Sequence, residues 1–529
     1  MLPLESKVSS GSGERRFWGL GLALLLCSCG VREDRASQRR LMKSLSARDY
    51  GSAQELVERD SFYPEERSEL LRELERGTVF YLAGRYYQAL ESFTRARQKS
   101  DELFTRSIGG KMKSLASENL DKYYGERYER SLIRFYESLV NYRLYRVGVY
   151  EAHERRENGK ILPVPEKKLS DVERRRHLMG ARGLLVEWDS LLNSYRTELA
   201  GQSTYRRDLL AKLWAGFIHE QVGTSEDRQI ALQLHRDARE VLLRHYNAYP
   251  TFNRKHKSFD DNFSKLAQMP LAVVKSKFID STQAAREVEA FVDSKVEKLS
   301  ENRKDNLFIL LKKGFVSPRK AKKISLKMPG DLLLRVGSGD REFVTFAEAK
   351  LSGTKGGGAS LVEFELPSIE PPARGYLSYR VTISDSSGRE VEKFPLVLAE
   401  PVTDIAVKAL GDRVMSIYLQ TFLTVATKYA TAMYTAYRIY KNNNGSDFGF
   451  LLATTSYLAA VKAIAETTMA DLRCWTSLAD GIYLGSTRLK PGKYSLAIVS
   501  QAPDGARSVV HSQGLNLGHS NSEFIDLNL

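Results

Sequence analysis

The sequence predicts an α+β protein: an N-terminal α-solenoid followed by a small β-sandwich that is interrupted by an α-hairpin. Three observations carry that expectation. From Leu41 to about Lys313, Leu, Tyr, Ala and Phe recur at three- and four-residue spacing between Glu, Arg and Lys, and prolines are few and fall at junctions such as Pro64, Pro163, Pro165 and Pro250. Residues 325–400 alternate in the manner of strands and carry turn signals. From Val402 to about Met469 the helical pattern returns, and strands follow it to the end. At 529 residues the chain has room for about two to four domains.

The first element is "FWGLGLALLLCSCG". Its apolar run from Phe17 to Leu26 would reach only about half the hydrocarbon core of a bilayer as a helix. Arg15 and Arg16 precede it and polar residues follow, the order of an export signal. Leu26-Cys27-Ser28-Cys29 resembles the lipobox of bacterial lipoproteins, whose cysteine is acylated and becomes the mature N-terminus. We therefore expect a signal peptide over 1–28, lipidation at Cys29, and a polar, disordered tether over 29–40. Gly30 lacks the carboxylate of an inner-membrane retention signal, which directs the expectation to the outer membrane, facing the periplasm. Glu5 and Glu14 lengthen the leader beyond need, as if the start codon were placed upstream of the true one.

With Cys27 and Cys29 so assigned, only Cys474 remains, which leaves no disulfide framework and no CxxC pair. The chain has 80 Lys+Arg against 65 Asp+Glu, a formal charge of +15 without a basic tail. That attracts anionic surfaces in general. For an exported protein these are phospholipid headgroups, lipopolysaccharide or acidic wall polymers, and no nucleic acid is expected.

The helical region, 41–315, contains "ERGTVFYLAGRYYQALESFTRA", where Gly77, Phe80, Gly84, Tyr86, Ala89, Phe93 and Ala96 fall at the offsets of a tetratricopeptide repeat. Gly77 and Ala89 are the small residues where paired helices approach. A second copy places Gly216 and Gly223 at the same interval, and Ala231, His235 and Ala238 at the spacing of Ala89, Phe93 and Ala96. This makes His235 a packing residue. Stacked helical pairs form concave surfaces suited to protein partners. Between the copies, Tyr123–Arg156 interleaves tyrosine with arginine, and Glu129 can pair with Arg130 or Arg134. Packing between helices is the plainer reading. The alternative is a contact surface, with Tyr128, Arg130, Arg134, Tyr142 and Tyr145 as candidate partner-binding residues.

The first part of the sandwich is expected over 316–401, including "DLLLRVGSGDREFVTF" and a hairpin turning at Asp385 to Gly388, and its final strands over 471–529. The loop Ser352–Ser360 lacks phosphate-loop order and reads as a flexible connection. In the 402–470 hairpin, "FGFLLATTSYLAAVKAIA" is long and lightly charged, which makes it a candidate for membrane contact. Lys428, Lys462, Glu466 and the Tyr and Thr content nevertheless indicate a helix pair buried on one side. Trp475 is read as a large apolar wedge, and Asp471 with Arg473 as a charge pair, where the hairpin returns to the strands.

Gly125, Tyr128, Glu129, Arg130, Arg155 and Arg156, followed much later by Ala470, Asp471, Arg473, Trp475, Pro491, Gly492 and Tyr494, carry a resemblance. On these elements the chain resembles a family of uncharacterised bacterial lipoproteins with tetratricopeptide-like helices and a C-terminal β-domain. It departs from that pattern at Arg146-Val147, where a Gly-Asp turn is usual, and at Ala479, where a proline is usual. The resemblance implies a fold more than a function.

No HExxH, GxSxG or SxxK occurs, and the eight histidines make no ligand set that the sequence can justify. No enzyme activity, cofactor or metal is expected. The reading is a membrane-anchored periplasmic scaffold whose helical surface binds an unidentified envelope protein. The alternative is a cell-wall or glycan-binding module centred on the β-domain.

Overall fold

The computed structural model describes residues 35–109, 122–157, 160–197, 205, 207–249, 251, 305–350, 361–371, 376–502, 506–518 and 522–529. Cys29, Gly30, the signal segment and the loop Ser352–Ser360 lie outside the described residues. Among the described residues the architecture is α+β, about 56% helical, with a seven-stranded mixed sheet toward the C-terminus.

Helix α1 spans 35–46 and corrects the expected tether, because Ser37 and Leu41 are already buried in the fold. α2 (Tyr50–Glu58) begins where the Asp49 side chain accepts a hydrogen bond from the Ser52 amide at 3.0 Å. α3 (Glu69–Leu82), α4 (Tyr86–Gly109), α5 (Arg127–Val147), α6 (Asp171–Thr197), α7 (Leu209–Val222) and α8 (Ser225–Arg244) follow, and from α2 onward each helix packs on its chain neighbour. The pairs α3/α4 and α7/α8 are built alike. Gly84 at φ +76° and Gly223 at φ +79° turn the chain in the left-handed region that favours glycine. A Cβ on Gly77 would lie 2.7 Å from the Phe93 ring, and one on Gly216 would lie 2.6 Å from the His235 ring. His235 thus fills the place of Phe93, with its Nε2 2.9 Å from Glu220.

One break in the helical layer departs from the sequence expectation. After Gly148, which caps α5 with φ +70°, residues 149–168 form two small ribbons: β1 (Val149–Tyr150) with β4 (Lys167–Lys168), and β2 (His153–Glu157) with β3 (Lys160–Val164). Pro163 and Pro165, which cannot continue a helix, sit at its far end.

The sheet is β12 (Arg507–Leu517), β11 (Gly492–Gln501), β8 (Ser378–Asp385), β9 (Glu390–Pro401), β10 (Gly481–Thr487), β5 (Leu307–Lys313) and β13 (Glu523–Asn528), in that spatial order. All its pairings are antiparallel except that of β13 with β5. Two expectations are corrected. β5 (Leu307–Lys313) belongs to the sheet, so the boundary lies before Leu307 and not at 315. The sandwich is one nearly closed sheet, whose seven strands all send apolar side chains into a shared interior, including Leu307, Ile309 and Leu311 of β5 with Val381, Leu396, Tyr483, Leu496, Leu515 and Ile525. The alternate residues Phe308 and Leu310 of β5 face the helices instead, so this strand is apolar on both sides. The expected turn is present: Gly388 has φ +81°, and the Asp385 carboxylate, hydrogen-bonded first by the Ser387 hydroxyl, is held down to about 2.

A third module surrounds the long hairpin of α11 (Val402–Asn442) and α12 (Asp447–Thr467), which turns through Asn444 and Gly445 at positive φ. β6 (Lys320–Lys327) and β7 (Leu361–Ser368) form a ribbon packed against α11. The "DLLLRVGSGDREFVTF" stretch is helical, a correction: α9 (Gly330–Val336) and α10 (Arg341–Thr345) cover it. Asp340 starts α10 by accepting from the amides of Glu342 and Phe343, and Leu333 and Phe343 bury against the hairpin.

Candidate functional site

Residues 470–480 join the modules. They leave α12, cross the helical layer and enter β10, and Trp475 ends fully buried against Phe93 and Tyr136 at ring-centroid distances of 5.9 and 5.4 Å. Its indole Nε1 donates to Thr78 Oγ1 at 2.9 Å, and its amide donates to Glu129 Oε1 at 2.8 Å. Glu75 accepts from the Thr476 amide and hydroxyl, both at 2.8 Å, and from the Ser477 amide at 3.2 Å. Burial raises the Glu75 carboxyl against these donors, and burial with the nearby Glu126 charge raises Glu129. α1 closes the other side: Gln38 reaches Cys474 Sγ at 3.9 Å and Arg35 reaches the Ala470 carbonyl at 3.4 Å. The wedge at Trp475 is therefore real, but it sits in the core of the helical layer. The Asp471–Arg473 pair is bidentate, at 3.0 and 2.8 Å, and Arg473 also donates to the Arg67 carbonyl at 3.3 Å.

Further buried charges tie the same modules. Lys312 of β5, Asp526 of β13 and the Tyr81 hydroxyl of α3 meet in one cluster. Glu126 accepts from Arg319 and, at 2.6 Å, from Arg413; burial works against its charge, but these two cations hold its carboxyl below the usual range.

The candidate partner-binding residues are placed in the interior. Tyr128, Arg130, Arg134 and Tyr142 are buried and Tyr145 is half-buried, because α5 is enclosed by α4, α6 and the sheet. Tyr142 packs on Trp214, Phe217 and Phe524, and burial pushes its hydroxyl up to about 12. Arg134 contacts both Asp101 oxygens at 2.7 Å, and Arg130 lies 3.6 Å from the same carboxylate. Glu129 does not take the arginine partners expected for it; it serves the 470–480 segment. These side chains form a core, and the contact-surface reading of them is withdrawn. Gly77 faces the Phe93 ring at close range, and Ala89 is fully buried.

An open groove of about 600 Å³ lies beside this core, lined by Gln54, Glu58, Arg85, Gln88, His153, Glu154 and the Pro163–Pro165 turn. The ribbon wall is pinned to α4. Glu151 accepts from the Tyr86 and Tyr87 amides at 3.1 and 3.2 Å, satisfying two donors of the helix N-terminus, and Arg85 donates to the Ala152 carbonyl at 2.8 Å. Tyr87 packs on Tyr150 and His153. The Gln88 Oε1 atom is shielded from solvent and accepts no hydrogen bond within the described protein. A two-stranded ribbon leaves its outer backbone edges unpaired. The groove thus presents hydrogen-bonding groups of both kinds, one cationic and two anionic side chains, and a proline wall. Sequence reasoning read Pro163 and Pro165 only as helix junctions; together with Gly148 they were the available signal for this ribbon. Among the described residues, no group of three or more His, Cys, Asp or Glu is placed to hold a metal ion. No family model, curated protein or solved structure matches the chain.

Proposed function

We propose that the protein is a lipid-anchored scaffold of the bacterial envelope, tethered at Cys29 to the outer membrane and facing the periplasm, which holds an extended segment of a partner protein in the groove between α2, α4 and the β2–β3 ribbon. The helical pairs α3/α4 and α7/α8 are read as tetratricopeptide-like, on the matched Gly77–Phe93 and Gly216–His235 contacts. The observation that carries the reading is the open groove walled by the two-stranded β2–β3 ribbon, whose outer backbone edge an extended peptide would join as a third strand. No catalytic role is assigned to any residue. The family resemblance through Gly125–Arg130 and Ala470–Trp475 agrees with a structural role, since Glu129 and Trp475 are hydrogen-bonded to each other.

The test is a photoreactive amino acid at Gln54 or Gln88 of the full chain in a two-membrane bacterium, with Val509, which is exposed on β12, as a second position. Discrete adducts to one protein from 54 and 88, lost when the ribbon is shortened, support the groove. Adducts to wall glycan from 509, with none from 54 or 88, would instead support the rival wall-binding reading of the β-domain.

A further inference from the structure

The hairpin presents an apolar face that none of the described residues covers. On α11, Met415, Leu419 and Leu423 are 66%, 50% and 58% exposed and stand four residues apart. The same row continues through Thr427, Thr431 and Thr435, all exposed. Their hydroxyls donate to the carbonyls of Leu423, Thr427 and Thr431 at 2.7, 2.8 and 2.9 Å, so none of the three needs water as an acceptor. On α12, Phe448, Leu451, Leu452 and Leu458 are exposed, and the Thr455 hydroxyl is bonded back to the Leu451 carbonyl at 2.9 Å. The stretch Asp447–Ala465 has a mean hydropathy of 1.5, yet only 17% of it is buried.

The inner faces of both helices are already used. Val425, Tyr429, Met433, Ala453 and Tyr457 form a core with the β6–β7 ribbon and α9–α10. The outer face is therefore surplus to folding, and a contiguous apolar patch of this kind marks an interaction surface.

Charge says what covers it. Residues 414–446 and 448–465 contain no Asp or Glu, whereas Lys428, Arg438, Lys441 and Lys462 lie within them. Lys441 is paired with Glu342 at 3.2 Å, which leaves Lys428, Arg438 and Lys462 as the cations that a second copy of the hairpin would bring together. A bilayer with anionic headgroups supplies both the apolar layer and the counter-charge. Lys428 falls midway along α11 and Lys462 on the exposed side of α12. A helix lying in the plane of the membrane lets such cations extend to the headgroups, whereas a spanning α11 would carry Lys428 into hydrocarbon. We propose that the outward face of the α11–α12 hairpin lies in the interfacial layer of an anionic lipid bilayer. This contact is separate from the Cys29 anchor and from the groove, and holds the protein's surface against the membrane at a second point.

The test uses the full chain carrying Cys27→Ser and Cys29→Ser, with one environment-sensitive label at Leu419→Cys, Leu451→Cys or, as control, the exposed Glu390→Cys. Cys474 is buried and its thiol is pushed up to about 12 by that burial, so it stays unlabelled. With phosphatidylglycerol/phosphatidylethanolamine vesicles, labels at 419 and 451 should shift to the blue and the label at 390 should not. Adding Leu423→Glu and Leu458→Glu should weaken vesicle binding by about tenfold or more without changing thermal melting. The apolar leader could itself bring the chain to vesicles, but unshifted emission at 419 and 451 on bound protein would still overturn the proposal. So would equal shifts with phosphatidylcholine vesicles, or shifts that grow with protein concentration in the absence of lipid.

Discussion

Replacing Trp475 by alanine should destabilise the helices and the sheet together. The indole is fully buried between α3, α4 and α5, touching Phe93 and Tyr136, and removing a buried tryptophan side chain costs about 3–5 kcal/mol. Its hydrogen bond to Thr78 adds little, because Thr78 keeps its own bond to the Leu74 carbonyl at 3.1 Å. The Trp475 amide bond to Glu129 survives in the variant, as does the seat of Thr476 and Ser477 on Glu75. We therefore expect a loss of about 3–5 kcal/mol, a large part of the total stability of an ordinary domain. The assay is amide hydrogen exchange combined with denaturant unfolding. Amides of α3–α5 and of β5 and β10 should lose protection by similar amounts, in one transition. Trp475→Phe, which retains most of the ring contact, should cost less than half as much. If Trp475→Ala loosened only the 402–470 hairpin while α3–α5 kept their protection, the shared-core argument would fail. A helical layer that melts normally in this variant, the outcome expected when Trp475 is placed only at the return to the strands, is not compatible with its contacts.

The two helical pairs should respond alike to crowding. Gly77→Ala places a Cβ against the Phe93 ring and Gly216→Ala places one against His235, each costing about 1–3 kcal/mol in thermal unfolding; Phe93→Leu should relieve the first, and the absence of any cost would count against the close contact. Ala89→Leu, at a fully buried site, should cost a similar amount. Glu400 supplies a pH prediction: burial first, and then the charge of Asp208, raise its carboxyl well above the ordinary value, with the Tyr246 hydroxyl at 2.5 Å opposing the shift. Because the folded state holds this proton more tightly than the unfolded chain, stability from this group is present below about pH 4.5 and declines as pH rises toward the raised folded value. Glu400→Gln should flatten that part of the stability profile and raise the melting temperature at neutral pH relative to wild type. A melting-temperature difference that does not change with pH would refute the assignment.

The parts legible in the sequence were those decided locally. Gly77 and Gly84, with Gly216 and Gly223, gave the helix contacts and turns because only glycine suits a left-handed turn or an aromatic ring at Cβ distance. Asp385 to Gly388 gave a β-turn, and the apolar spacing from Val402 to Met469 gave the hairpin. What was hidden depended on partners far along the chain. Arg134 looks like a surface residue until Asp101 is beside it, and Glu129 until the Trp475 amide arrives from 346 positions away. Short helices misled for another reason: α9 has seven residues, too few for a 3.6-residue period to show against a run of leucines, and it is bounded by Pro329 and Gly337, while Asp340 starts the next short helix, α10. The groove escaped notice because the ribbon forming its wall interrupts an otherwise helical pattern through glycine and proline alone.

The measurement that bears most directly on the account is metabolic labelling with a clickable fatty acid in a two-membrane bacterium, followed by membrane fractionation. The account predicts label on the wild-type chain in the outer-membrane fraction, and none on Cys29→Ala, which should persist as a larger, unlabelled species. An unlabelled wild type, or label that remains on Cys29→Ala, would contradict it.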